Sequence, residues 1–407
     1  MNIVLLRLEE FRSYRHLDLC IPAIGCRIVG NNASGKTTLL EAIVVLATSR
    51  SPRTQVDREL INWMSGEQYE VPPYCRLQAD LESGGERHKV EMSLQVDSAV
   101  RTGSKKTFSL DQRSVRAHDV VGAIKVVLFS PDDLLLVSGP PSERRRHLDI
   151  LISQLDREYL RALSRFNRIV SQRNGLLKSF LRQRVDARSP ASEAQLAFWD
   201  ESLVADGSYI VAKRLQIVEL LKRSMAHHGK RLSPDMELDL CYQPRVELGT
   251  LDTAPASHGS VDDLRAVIAS RFERQLSDAR GEEARRGVTV VGPHRDDVMF
   301  ALDGRPLSQF GSRGQQRLAV VALKLAEATL IREESGDLPI LLLDDVLSEL
   351  DEVHRIRLVA EVVSPGCQVI VTSTEVGSLA DEAIAHLPLA RVQAGTVSFQ
   401  QADALAE

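Results

Sequence analysis

Aromatic residues make up only 4% of this 407-residue chain, so any core must be built mainly from aliphatic side chains. Cysteine is sparse as well. Cys20, Cys26, Cys75, Cys241 and Cys367 are scattered and form no CxxC pair, which argues against a zinc site or a disulfide framework. Reduced cysteines fit a cytosolic protein. No apolar run approaches the ~20 residues that a membrane span needs. The opening MNIVLLRLEEFRSYR carries Arg and Glu early and lacks a small-residue cleavage site, so it reads as a strand rather than a signal peptide. There is no internal repeat and no sustained heptad pattern. The net charge of −5 excludes a globally basic protein, so any basic surface must be local. What the chain does have is length for two or three domains and 43% hydrophobic residues to fill their cores.

The first informative stretch is Gly30-Asn31-Asn32-Ala33-Ser34-Gly35-Lys36-Thr37, with Thr38 following. It matches G-x-x-x-x-G-K-[ST]. Ile28 and Val29 precede it as a short apolar run, and Leu39, Leu40, Ile43 and Val44 follow in helical spacing. A chance glycine-rich turn would not require that strand–loop–helix setting. The glycines let consecutive backbone N–H groups curl around phosphates, Lys36 reaches the β- and γ-phosphates, and Thr37 offers a hydroxyl to Mg²⁺.

The second stretch, PILLLDDVLSELD at 339–351, lies some three hundred residues away. Ile340 to Leu343 form a buried parallel-strand candidate that ends in Asp344 and Asp345. Beside a phosphate loop, a carboxylate at that strand end holds Mg²⁺. Asp344 is the metal candidate, and Asp345 is placed to polarise an attacking water. Two halves of one site so far apart in sequence require a discontinuous core with something inserted. QVIVTSTEV (368–376) supplies a further strand, and ARVQAGTVSFQ (390–400) a closing hairpin around Gly395.

The inserted part is helical. Leu148, Ile152, Leu155, Tyr159, Leu163, Phe166 and Val170 predict one face of a long helix, DARSPAS (186–192) a turn, and Leu196 to Met225 a second helical region. The stretch 244–260 reads as a loop and 261–286 as helix. Residues 143–188 hold twelve Lys/Arg against five acids. Arg161, Arg165, Arg168 and Arg173 on this segment are DNA-phosphate candidates, and a solvated helix with acidic neighbours in space has the same composition. A smaller basic stretch spans Arg101 to Arg116, with Lys105 and Lys106. Near the end, FGSRGQQR (310–317) opens directly into an apolar-patterned helix. Such a helix start favours an anion.

Taken in order, the motifs are EFRSY (10–14), GNNASGKTT (30–38), FSPDDLLLVSGPPSERRRHLD (129–149), GPHRDD (292–297), GSRGQQR (311–317), LLLDDVLSELD (341–351) and VTSTE (371–375). This set resembles the RecF family of bacterial recombination mediators, ATPases of the SMC/ABC class, over nearly the whole chain. The resemblance implies an α/β fold: an ABC/SMC-type P-loop ATPase head, discontinuous, with a mixed β core. Residues 1–142 and 287–407 would form the head, 143–286 an inserted α-helical domain, with no long coiled coil. It also implies ATP and Mg²⁺ as ligands. Gly30 to Thr38 would be the Walker A loop, Asp344 the Walker B metal carboxylate, and Asp345 with Lys36 the catalytic pair. Ser312, Arg313, Gly314 and Gln315 would be a signature acting in trans on the partner's γ-phosphate. Ser348 and Asp351 would mark the D-loop, and Arg12 would lie near the phosphates.

The same resemblance implies a function. Such proteins dimerise on ATP, bind DNA gaps, and work with RecO and RecR to load RecA in DNA repair, replication restart and the SOS response. They are cytoplasmic and nucleoid-associated. Departures from the wider ABC pattern predict a weak, slow, DNA-stimulated ATPase used as a timer. Asp345 stands where Glu is usual, Thr372-Ser373-Thr374 replaces a switch histidine, and FSPDD stands where a lobe-junction glutamine is expected. The alternatives are an ABC-type ATPase subunit of a transport or chromosome-tethering system and a small-molecule kinase. The first would carry the Walker B Glu and switch histidine, tethering needs long heptad arms, and a kinase has no use for the signature stretch.

Overall fold

The computed structural model describes residues 1–66, 71–96, 103–249, 261–363, 366–374, 382–393 and 395–400. Among them the strands run, in chain order, β1 (Asn2–Phe11), β2 (Tyr14–Cys20), β3 (Gly25–Val29), β4 (Tyr74–Ser83), β5 (Glu86–Val96), β6 (Ser104–Leu110), β7 (Arg113–Val115), β8 (Val126–Phe129), β9 (Leu238–Gln243), β10 (Asp297–Leu302), β11 (Arg305–Pro306), β12 (Ile340–Asp344), β13 (Val369–Ser373), β14 (Leu389–Gln393) and β15 (Thr396–Phe399). Contacts divide the chain into two compact units. One comprises Met1–Leu134, His228–Asp235 and Arg317–Glu407; the other comprises Leu135–His227 and Met236–Gln316.

The first unit holds two six-stranded sheets. One is antiparallel, in the order β2-β1-β4-β5-β6-β7. The other runs β15-β14-β3-β13-β12-β8, parallel from β14 to β8, with β15 antiparallel at its edge. All five residues of β12 are buried, as a continuous aliphatic run in a parallel sheet requires. The helix Lys36–Thr48 packs against β4 and β5 of one sheet and β8, β12 and β13 of the other. Every residue of it except Thr37 is buried, which is why Leu39 to Ala47 are apolar on all sides apart from Glu41. The antiparallel sheet between 74 and 115 has no counterpart in the motif reading. Its signal is a period of two: Cys75, Leu77, Ala79 and Leu81 on β4, then Val90, Met92 and Leu94 on β5, all buried.

The second unit contains the helices Pro141–Leu155, Arg157–Gln183 and Val261–Arg286, most of the helix Pro190–Leu232, and the small antiparallel sheet β11-β10-β9. The single long helix expected from 143 to 170 is two helices. Asp156 breaks it: its backbone is extended, and its Oδ1 accepts the N–H of Tyr159 at 2.9 Å, capping the second helix. The buried seam of that helix is Tyr159, Ala162, Phe166, Ile169, Arg173, Leu177 and Phe180, so Leu163 and Val170 fall at its margin. Gly207 lets the helices close together. A Cβ there would stand 2.6 Å from the Phe272 ring and 3.0 Å from the Phe166 ring.

The units do not follow the sequence segments 1–142, 143–286 and 287–407. Strand β10 pairs with β9 over six residues, so the chain from 287 to 316, including Ser312, groups with the inserted helices. Of the expected loop at 244–260, residues 250–260 lie outside the described residues, as does Glu375 of the VTSTE stretch.

Candidate nucleotide site

Strand order builds this site. β13 lies between β3 and β12, in register Thr372 with Asp344 and Ser373 with Val29. The C-terminal ends of the three strands therefore sit side by side, about 5 Å apart from one to the next. The phosphate loop leaves β3 at this edge and turns into the helix at Lys36.

The loop tolerates no bulk at its two glycines. Gly35 has φ 110°, and a Cβ on it would lie 2.7 Å from the Tyr14 hydroxyl. That hydroxyl donates to the Gly35 carbonyl at 3.0 Å, and burial pushes the phenol's pKa up. A Cβ on Gly30 would stand 2.6 Å from Ser34 Oγ and 2.6 Å from the Val392 carbonyl oxygen. Ala33, at φ 62°, and Gly35 give the left-handed turns that point successive N–H groups to one side, a nest for an anion. Ser34 Oγ is buried there with no hydrogen-bond partner, while Asn31 and Asn32 are exposed. Lys36 Nζ folds over the loop and donates to the carbonyls of Gly30 at 2.6 Å and Asn31 at 3.0 Å. Burial lowers its pKa, opposed by Asp345 and Asp344. Thr38 is buried in the helix's first turn.

Thr37 and Asp344, 307 positions apart, meet directly: Thr37 Oγ1 donates to Asp344 Oδ1 at 3.0 Å. Thr372 Oγ1 donates to the same oxygen at 2.9 Å. Burial raises the Asp344 pKa, partly offset by those two hydroxyls. Among the described residues, no hydrogen bond reaches its Oδ2. Asp345 bends away in a left-handed conformation, φ 54°, and its carboxylate accepts from Ser348 Oγ at 3.1 Å. A Mg²⁺ ion and nucleotide phosphates fit what is present. The orphan Ser34 hydroxyl and the glycine cradle suit phosphate oxygens. A threonine hydroxyl beside one free carboxylate oxygen suits an ion that keeps several waters.

The remaining candidates stand as follows. Arg12 makes a bidentate pair with buried Glu41, at 3.1 and 2.7 Å, and Glu41 also accepts from Ser51 at 2.6 Å. The Arg12 guanidinium thus anchors the hairpin turn to the phosphate-loop helix. Asp351 caps the helix Glu352–Val363 through His354, whose N–H and ring nitrogen lie 3.0 and 2.6 Å from its carboxylate. In the second unit, Ser312 and Gln315 form a reciprocal capping box. Ser312 N–H donates to Gln315 Oε1 at 2.8 Å, and Gln315 N–H donates to Ser312 Oγ at 3.3 Å. Ser312, Arg313 and Gly314 are exposed at this helix start.

One residue of the basic helical face needs correction. Arg173 is fully buried, bonded to Asp200, Glu283 and Thr289, and cannot meet DNA. Arg165 is paired with Asp206 through Nε and Nη2, and Arg161 also has an interaction partner. Arg168 is exposed. Part of this segment's positive charge is paired inside the unit. Arg144 forks onto Asp297 at 2.7 and 2.9 Å, and Arg145 donates to the Asp296 carbonyl. Fully buried Arg214 joins Asp149 and Asp296, with Tyr159 and Tyr242 bonded to the same acids. The stretches SERRRHLD and GPHRDD are thus two sides of one buried ion-pair network. Lys106, from the smaller basic stretch, is likewise tied to Asp57 and the Ser49 carbonyl. Sequence reasoning gave no role to Tyr14 or Glu41, and it read Thr372 only as a stand-in for a switch histidine. Tyr14 and Thr372 had local signals, in the EFRSY and VTSTE stretches.

The family model described as the RecF/RecN/SMC N terminal domain matches residues 2–395. The DNA replication and repair protein RecF of Thermomicrobium roseum is 45% identical over 96% of this chain and 98% of its own length. That of Chloroflexus aurantiacus is 41% identical over 96% and 97%. A solved structure of the recombination mediator protein RecF-ATPrS in the RecFOR pathway superposes with TM-score 0.81 at 26% identity, over 98% of both chains. The Smc head domain of Pyrococcus furiosus, at TM-score 0.51 and 15% identity, shares the fold. The chain belongs to the RecF family, within the RecF/RecN/SMC group of ATPase heads.

Proposed function

We propose that this protein is an ATP-dependent, DNA-binding recombination mediator of DNA replication and repair. One observation carries the nucleotide part: the 3.0 Å bond from Thr37 to Asp344, which joins a glycine-cradled phosphate loop to the carboxylate of a strand 307 positions away. Thr37 and Asp344 would hold Mg²⁺, which would neutralise phosphate charge when bound. Lys36 would turn from the Gly30 and Asn31 carbonyls onto the phosphates. Asp345 would orient the attacking water, and hydrolysis would be slow because the carboxylate is short and engaged by Ser348.

The signature start at Ser312 serves a second copy. Its capping box leaves the Ser312 hydroxyl proton free to donate, and the exposed helix N-terminus favours an anion. The γ-phosphate of a nucleotide held by the partner is that anion, so ATP joins two protomers about a two-fold axis. DNA binding follows from kinship with the DNA replication and repair relatives; on the helical face Arg161, Arg165 and Arg168 are exposed, while Arg173 is buried. RecO and RecR as partners, RecA loading at gaps and residence at the nucleoid follow from the same kinship. Among the described residues, no helix is long and apolar enough to cross a membrane. The test is binding to gapped DNA at fixed salt with ATP or ADP plus Mg²⁺. Tighter binding with ATP is expected; equal affinity with both would refute the nucleotide-dependent reading.

A further inference from the structure

We propose that Thr372 is a positioning residue that couples the two carboxylates ending β12; this rests on the nucleotide-site reading above. Thr372 is fully buried near the end of β13, in register with Asp344. Its hydroxyl has one proton and two acceptor sites, and the geometry uses both kinds. It donates to Asp344 Oδ1 at 2.9 Å and accepts the N–H of Asp345 at 3.2 Å. The Thr372 carbonyl accepts that same N–H at 3.3 Å.

The consequences differ for the two acids. Asp344 Oδ1 receives the Thr37 and Thr372 hydroxyls together, which fixes the carboxylate's rotation. Asp345 adopts a left-handed backbone, φ 54°, which costs a residue with a Cβ more than it costs glycine. Thr372 holds it from the N–H side. Ser348 holds it from the other, with Oγ 2.7 Å from the Asp345 carbonyl and 3.1 Å from its Oδ1. A continuous chain results: Ser348, Asp345, Thr372, Asp344, Thr37. Thr372 is its centre, and its β-branched side chain is stiff enough to set the aim of both carboxylates.

The full-length variants Thr372→Val and Thr372→Ser test this. Valine keeps the shape and removes both hydroxyl roles, while serine keeps the hydroxyl. For Thr372→Val, kcat should fall at least about tenfold while ATP affinity stays within about threefold, a loss confined to the reacting geometry. In nucleotide-free protein, amide exchange at Asp345 should speed up about tenfold, because the bend loses a partner. Thr372→Ser should restore both. Wild-type kcat and Asp345 exchange in Thr372→Val would overturn the proposal. So would equal loss in the serine variant, or an ATP-affinity loss matching that in kcat. The exchange measurement needs no nucleotide. If the wild type neither bound nor hydrolysed Mg-ATP, the site reading would fail while Asp345 exchange still decided the role of Thr372.

Discussion

Replacing Arg173 with Met separates a DNA contact from a structural one. Arg173 lies at the centre of the second unit with no solvent exposure. Its Nε donates to Asp200 at 2.8 Å, Nη1 to Glu283 and Thr289 at 3.0 and 2.8 Å, and Nη2 to Glu283 at 2.6 Å. Glu283 has no exposed side-chain surface either. Methionine fills much of the volume yet leaves the buried Glu283 carboxylate only the Val290 N–H at 3.2 Å and the more distant Arg280 at 3.6 Å. Removing one partner of a buried pair costs about 3–5 kcal/mol. For a unit of this size that corresponds to a Tm fall of roughly 6–20 °C. Calorimetry of the full chain should show a transition lowered by about that amount, whereas Arg168→Met, at an exposed position, should melt like wild type. DNA affinity measured below the transition should keep the same salt slope. A Tm within about 2 °C of wild type, together with a log–log salt slope reduced by about 0.9, would make Arg173 a phosphate contact and refute the reasoning.

Two further outcomes follow from the geometry. Gly35→Ala forces a Cβ into the left-handed turn against Tyr14, so binding of a fluorescent ATP analogue should weaken at least about tenfold, roughly 1.4 kcal/mol; unchanged affinity would mean the loop does not hold phosphate. Burial lowers the His294 pKa to about 4 from 6.5, so the unfolded chain takes up a proton that the folded one refuses as pH falls. Stability from this group is present above pH 6.5 and is lost as pH drops toward 4, by up to about 3 kcal/mol at 1.36 per unit. Urea midpoints across that window should fall less steeply in His294→Phe, and an identical pH profile would refute the assignment.

The nucleotide half of the fold was legible because its demands are local. A phosphate loop needs glycines at set spacing, and a strand buried on both faces needs a continuous apolar run, so Gly30 to Thr37 and Ile340 to Asp344 announce themselves. The pairing of Thr37 with Asp344 followed from chemistry rather than from proximity in sequence. The insert was read less well, since periodicity does not register a cap. Asp156 interrupts the helical pattern without breaking its apolar spacing. Charge counting misplaced Arg173 for a related reason: it looks like a surface cation until Asp200 and Glu283 are brought against it from distant segments. Thr372 could be seen as a polar strand end, but its double role depends on β13 lying between β3 and β12, an order that local patterns do not encode.

The most direct test of the in-trans switch is sedimentation velocity with Mg-ATP on the wild type and Ser312→Arg. Ser312 is exposed at the helix start, so arginine there should leave the protomer folded and its ATP affinity unchanged. The account predicts that ATP shifts the wild type to a dimer and leaves Ser312→Arg a monomer. A Ser312→Arg protein that dimerises with ATP as the wild type does would contradict it.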